Sequence, residues 1–269
     1  KILAGAGNDT IYGGFSYLYA GSGDDNVTIP SGNWSTNLVD HLDGGEGTDT
    51  LNLLGSFGAT SYGSTAAGLK VVNFENISFG GGYSHTWTLG SQAGSQGDSI
   101  TVDASNSYYV NFTSLSDANI TFTGGDGEND RNANDTVILG GGNDTISLGL
   151  GDDTITAGAG DDTIDGGTGT DIAIFSGNQA DYSISTTVSG LTETITISGT
   201  DGTDTLTNIE TLRFDDGDVD VRPAGRTIKD TGQGVFAPIS GDPIVGGTLT
   251  AGSISGDPDG TNSSPNITY

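Results

Sequence analysis

Residues 139–174 read LGGGNDTIS, LGLGDDTIT, AGAGDDTID, GGTGTDIAI, nine residues at a time with no gap between units. Each unit has Gly at positions 2 and 4, Asp at position 6 and Ile at position 8, except that the last places Ala173 at position 8 after Ile172. Paired glycines permit the positive-φ or crowded backbone of a tight turn. The x-D-T-I-x remainder alternates polar and β-branched residues, as a short strand does. A turn and a strand every nine residues make half a coil, so position 6 returns to the same edge after two units. Asp135 and Asp153, Asp144 and Asp162, and Asp153 and Asp171 are each separated by two units. Stacked coils therefore bring two carboxylates together on each edge, with turn carbonyls converging beside them.

Such a hard, all-oxygen donor set suits Ca²⁺ better than Zn²⁺ or copper. The repeat is similar to the nonapeptide G-G-x-G-x-D-x-U-x of the RTX (hemolysin-type calcium-binding) family, which folds as a parallel β-helix. The resemblance implies that the position-6 carboxylates of Asp135, Asp144, Asp153, Asp162 and Asp171 are Ca²⁺ ligands. It implies the same for the turn carbonyls of Gly140, Gly142, Gly149, Gly151, Gly158, Gly160, Gly167 and Gly169. It also implies an all-β parallel β-roll or β-solenoid holding several Ca²⁺ ions. One large aliphatic side chain per nine ordered residues leaves burial well short of the cost of ordering the chain. Acidic turns stacked on one another add repulsion, so the ladder is expected to be disordered without cations.

The rest of the composition agrees with a secreted cation binder. The chain has 269 residues, 47 of them Gly, with 35 acidic against 7 basic residues and a net charge of −28. That surface cannot neutralise phosphates, which excludes nucleic acid as a partner. No Cys is present, so metal stands in for the disulfides that staple many secreted domains. No apolar run approaches a membrane span, and no N-terminal secretion signal is legible. The chain opens in mid-repeat at Lys1-Ile2-Leu3 and reads as a piece of a larger protein. The family resemblance implies export through one-step (type I) secretion, to the outside of the cell or its surface.

Residues 1–54 hold degenerate repeats. AGAGNDTIY (4–12), AGSGDDNVT (20–28) and GGEGTDTLN (44–52) supply Asp9, Asp25 and Asp49 as further candidate ligands, with an insertion over 29–42. Spacing does not say whether Asp49 stacks on Asp25. Residues 55–123 lose the Gly-Asp signature but keep short β-branched and aromatic runs, which predicts a solenoid continuation with fuller apolar rungs and fewer metals. Residues 124–174 form the main β-roll. Residues 175–221, with DTLTNIETLRF at 204–214, match the segment that follows RTX repeats and are expected to form a β cap over the open sheet edge. The run VVNFENI (71–77) resembles that cap, suggesting that residues 1–79 are an older copy of repeats plus cap. Arg222, Pro223, Arg226 and Lys229 mark 222–238 as a linker. Residues 239–269 resemble the start of a bacterial Ig-like module, too short for a sandwich.

Other candidates are weaker. His41 and His85 sit in no H-E-x-x-H pattern, and no G-x-S-x-G occurs, so no catalytic residue is assigned. Position-5 Asp152 and Asp161 are expected to face solvent, as are Asp215, Asp216 and Asp218. At Asp126 and Asp130 the frame slips, so they stand between ligand and insertion. Trp34, Trp87, Tyr83 and Tyr108-Tyr109 fit rung packing better than a sugar-stacking face. Asp242-Pro243 and Asp257-Pro258 fit a Gly-Asp-rich tail better than a self-cleavage site. These observations predict a Ca²⁺-folded region of a large secreted bacterial surface protein, of adhesin or surface-layer type, with cell-surface glycans or further copies of itself as partners. One alternative is the non-catalytic C-terminal part of a secreted RTX protease, lipase or polysaccharide epimerase. A carbohydrate-binding module is a third reading. Parent length, ion number and assembly state are not legible.

Overall fold

The computed structural model describes residues 1–14, 17–30, 41–54, 70–80, 85–89, 98–105, 110–114, 117–125, 134–189 and 192–221. From β1 to β17 successive strands enter different sheets. One sheet collects, in parallel and in this order, β2 (Thr10–Tyr12), β4 (Asn26–Ile29), β6 (Thr50–Leu54), β8 (Asn76–Gly80), β10 (Ser99–Asp103), β12 (Asn119–Thr123), β14 (Thr145–Ser147), β16 (Thr163–Asp165) and β20 (Thr203–Thr207). The antiparallel strands β18 (Ser183–Ser189) and β19 (Thr192–Ser198) extend it at β20, giving eleven strands. The intervening strands make two sheets. The first is β1 (Ile2–Ala6), β3 (Tyr17–Ser22), β5 (His41–Glu46) and β7 (Lys70–Val72). The second is β9 (His85–Leu89), β11 (Val110–Ser114), β13 (Thr136–Ile138), β15 (Thr154–Thr156), β17 (Ile172–Ile174) and β21 (Thr211–Phe214), with β22 (Gly217–Asp220) antiparallel at its end. The only helical element among the described residues is a 3₁₀ turn, Gln179–Asp181. This is the parallel β-roll that the nine-residue period predicts.

The period sets the register. Thr145 pairs with Thr163, and Thr136 with Thr154 and then Ile172. Position 8 therefore stacks on itself as Ile146–Ile164 and Val137–Ile155–Ala173, all buried. Each fully buried Ile contributes roughly 1.5–3 kcal/mol. The coils between 55 and 123 do carry fuller rungs, with Phe79 and Phe122 inside.

Three boundaries differ from the sequence reading. The cap-like run at 71–77 spans two strands, β7 and β8, in different sheets, because Asn73 turns the chain at φ 56°. Similarly, 204–214, expected within the cap, divides at Asn208, φ 52°, into β20 and β21, which add one more coil. The insertion after β4 is narrower than 29–42, since Ile29 and Leu42 are both core residues of strands. Lys1–Asp220 forms one compact unit. The linker at 222–238 and the Ig-like resemblance at 239–269 lie outside the described residues, as do Asp126 and Asp130.

Candidate metal centre

The glycine turns are built for close stacking. Gly149, Gly158 and Gly167 at position 2 adopt φ of 97°, 102° and 90°. At position 4, Gly151, Gly160 and Gly169 adopt 134°, 141° and 147°. A Cβ on Gly158 would lie 1.9 Å from Gly140 O, and one on Gly160 would lie 1.8 Å from Gly142 O. Position-2 carbonyls enter the inter-coil ladder, as Gly140 O accepts from Ala159 N at 2.9 Å and Gly149 O from Thr168 N at 2.8 Å. Gly142 O and Gly151 O stand against the Cα of the next position-4 glycine. Gly therefore serves both dihedral and space requirements.

Beside these turns the aspartates form a ladder. Asp135 N donates to Asp153 Oδ1 at 2.7 Å, Asp153 N to Asp171 Oδ1 at 2.8 Å, and Asp144 N to Asp162 Oδ1 at 2.8 Å. In the first coils Asp9 N donates to Asp25 Oδ1, and Asp25 N to Asp49 Oδ1, both at 2.8 Å. Asp49 thus stacks on Asp25, a relationship hidden by the irregular spacing. From Asp25 and Asp49 in the first coils to Asp153, Asp162 and Asp171 in the main roll, one carboxylate oxygen is used in this way and the other is not. Asp9, Asp25, Asp49, Asp144, Asp153, Asp162 and Asp171 all keep a buried Oδ2 with no hydrogen-bond partner. Asp135 is the exception, because its Oδ1 accepts from Val110 N and its Oδ2 from Gly125 N.

A buried anionic oxygen without a partner is costly. Burial pushes Asp144 and Asp171 up to about 7, while the amide each accepts holds it down and neighbouring carboxylates push it further. Asp153 and Asp162 are pushed up to about 6 by the same burial. Burial also raises Asp49. Among the described residues no three His, Cys, Asp or Glu side chains form one cluster. A cation here would take paired carboxylates and complete its shell with backbone oxygens, a donor set that fits Ca²⁺.

The ladder extends beyond what the repeat frame reveals. Asp162 N donates to Asp204 Oδ1 at 2.9 Å, and burial pushes Asp204 up to about 7. Glu75 Oε2 accepts from Asp49 N, and Glu210 Oε2 from Asp171 N. Gly202-Thr203-Asp204-Thr205-Leu206 follows the repeat from position 4 onward, and that was the missed signal for Asp204. The glutamates carry no such signal, since neither lies in the nine-residue frame.

Position 5 makes a second, exposed ladder. Asp152 Oδ1 accepts from Thr170 N at 2.8 Å and Asp161 Oδ1 from Thr203 N at 2.8 Å. Asn134 and Asn143 accept in turn from Asp152 N and Asp161 N. These side chains are exposed, as the sequence predicts, yet they tie coils together. Asp215 and Asp216 accept from Gly177 N and Gln179 N, and Asp218 pairs with Arg213 at 2.9 Å. The side chains of His41, His85 and Trp87, and residues Trp34, Tyr83 and Tyr108-Tyr109, lie outside the described set, as do the two Asp-Pro dipeptides.

These features define a parallel β-roll with a buried column of acidic side chains. The RTX calcium-binding nonapeptide repeat matches the chain in four copies, at residues 1–16, 39–55, 131–155 and 138–173. The chain carries RTX calcium-binding repeats. No curated protein and no solved structure matches it.

Proposed function

We propose that this chain is the calcium-folded region of a large secreted bacterial surface protein, of adhesin or surface-layer type, and has no catalytic role of its own. The observation that carries the reading is the column of buried Asp Oδ2 atoms without partners, in a chain with 35 acidic and 7 basic residues. Those oxygens repel one another in the folded state and gain a partner only from a cation. Asp144, Asp153, Asp162 and Asp171, with Asp9, Asp25 and Asp49, would hold Ca²⁺ through Oδ2, helped by carbonyls of the glycine turns. At low free Ca²⁺ the chain stays extended and exportable. Outside the cell, where Ca²⁺ is roughly millimolar, sites of the 10⁻⁴–10⁻³ M class fill. Each site at about ten times its Kd adds roughly 1.4 kcal/mol to folding.

Circular dichroism of the full chain during a Ca²⁺ titration, with Mg²⁺ as control, tests this. A cooperative gain of β-structure with Ca²⁺ and not with Mg²⁺ supports it. A spectrum indifferent to Ca²⁺ overturns it. The secreted-enzyme alternative makes the same prediction for this chain and separates only on whether a catalytic domain accompanies this region.

A further inference from the structure

Of the three carboxylate ladders, the two with four members end in the same way, whereas the third, Asp144–Asp162–Asp204, ends on an aspartate. In the first, the series Asp9, Asp25, Asp49 closes on Glu75, through amide-to-carboxylate hydrogen bonds of 2.8, 2.8 and 2.7 Å. In the second, Asp135, Asp153, Asp171 closes on Glu210 at 2.7, 2.8 and 2.8 Å. Each glutamate ends a three-residue turn, Asn73-Phe74-Glu75 or Asn208-Ile209-Glu210, between two strands. These two asparagines are the positive-φ residues other than glycine among the described positions. Their side chains anchor the turns alike, Asn73 Nδ2 to Asp43 Oδ1 and Asn208 Nδ2 to Asp165 Oδ1, both at 2.7 Å. Phe74 and Ile209 are buried as plugs. The turn omits the Gly-x-Gly segment of a repeat, so its acidic residue needs a longer side chain to reach the ladder.

At each end a buried oxygen waits. Asp49 and Asp171 are both fully buried, and each keeps an unpartnered Oδ2. Where a Cβ on Gly44 would sit, Asp49 Oδ2 and Asn73 O lie 2.6 and 1.9 Å away. At Gly166 the corresponding atoms are Asp171 Oδ2 at 2.7 Å and Asn208 O at 2.2 Å. A carboxylate oxygen and a carbonyl oxygen thus crowd the same glycine Cα twice, so that only glycine fits at 44 and 166 and the unpartnered Oδ2 is held beside the turn carbonyl.

We propose that the Asn-x-Glu turns are terminal cation sites, in which Glu75 with Asp49, and Glu210 with Asp171, hold a hard divalent cation such as Ca²⁺. Both lie outside the segments that match the repeat at the glutamate itself. The proposal rests on the calcium reading above and adds two sites to it. Each site caps the end of a ladder, where the next coil offers no aspartate.

The test is Ca²⁺ stoichiometry by equilibrium dialysis on the full chain, alongside Glu75→Gln, Glu210→Gln and the double variant. Gln keeps an acceptor for the Asp49 or Asp171 amide and removes the charge. Each single variant is expected to bind about one fewer Ca²⁺, and the double variant about two fewer. Glu210→Asp, too short for the three-residue turn, is expected to behave like Gln. Unchanged stoichiometry in variants that fold overturns the inference and leaves the aspartate ladder standing. No Ca²⁺ binding by the wild type instead removes the calcium reading. Wild-type crystals grown with Tb³⁺ give an answer free of folding defects. An anomalous peak between Asp171 and Glu210 supports the site, and peaks confined to the aspartate pairs overturn it.

Discussion

Ile100 stands beside Ile120 in adjacent strands, at the ladder position where the coils before them place Asp49 and Glu75 and the coil after them places Asp144. Both isoleucines are buried. Here an apolar side chain fills the space that elsewhere holds a carboxylate, and the coils need no cation to remain together. Truncating Ile120→Ala should cost about 2–5 kcal/mol. The loss, read from thermal unfolding, should be the same at moderate and at saturating Ca²⁺.

Asp153 behaves in the opposite way. Asp153→Asn keeps an acceptor for Asp135 N but removes the anionic charge at an unpartnered oxygen. The Ca²⁺ midpoint of folding should rise roughly tenfold, equivalent to about 1.4 kcal/mol. A midpoint that does not move would mean Asp153 serves only the hydrogen-bond ladder.

Glycine substitutions separate dihedral need from simple proximity. Gly158 has φ 102°, and a Cβ there would meet Gly140 O at 1.9 Å. Gly158→Ala should cost at least about 1–3 kcal/mol. Gly141, in the neighbouring turn, has no positive φ, and its Cβ would meet only the Asp117 side chain at 3.0 Å. Gly141→Ala should stay within about 0.5 kcal/mol. Chemical denaturation at saturating Ca²⁺ compares the two.

Acid should act in opposite directions on the metal-free and metal-bound chain. Asp144, Asp171 and Asp204 are pushed from 3.8 up to about 7, and Asp153 and Asp162 to about 6. The folded coil therefore holds protons that the unfolded chain has released between about pH 4 and 7. Without metal, its stability is greatest below about pH 4 and is lost as the pH rises through the folded values. With metal the order reverses, because Ca²⁺ needs the carboxylates ionised and must displace those protons. Because the extended chain is already ionised at about pH 5–7, the Ca²⁺ midpoint should change little there and should rise, with net proton release on binding, only as pH falls toward about 4, where the unfolded carboxylates take up protons. Calorimetry in buffers of different ionisation enthalpy measures that release.

The unbroken frame of Leu139–Ile174 carried its own register, because an 18-residue separation of the hydrogen-bonded Asp pairs survives in the folded coil. Where coils are longer or shorter, sequence spacing loses that information. Asp25 and Asp49 stack across 24 residues, Asp162 and Asp204 across 42. The register there is set by strand pairing and buried side chains, and loops of any length can leave the edge. The roles of Glu75 and Glu210 were hidden for another reason. Their turn has a different length and a different acid, so only the shared amide contact reveals the equivalence. The second oxygen of Asp135 was equally illegible, since its partner, Gly125, lies across an insertion.

The eleven-stranded sheet runs without interruption from β2 to β18, whereas among the described strands the opposite side divides between β7 and β9. One flank of the coil is therefore a continuous spine of hydrogen bonds, and the other, among the described strands, has a seam. A load that bends the coil toward the spine opens the seam before it breaks any strand pairing. The coil is stiff in one direction and yields in the other, like a leaf spring with a single cut.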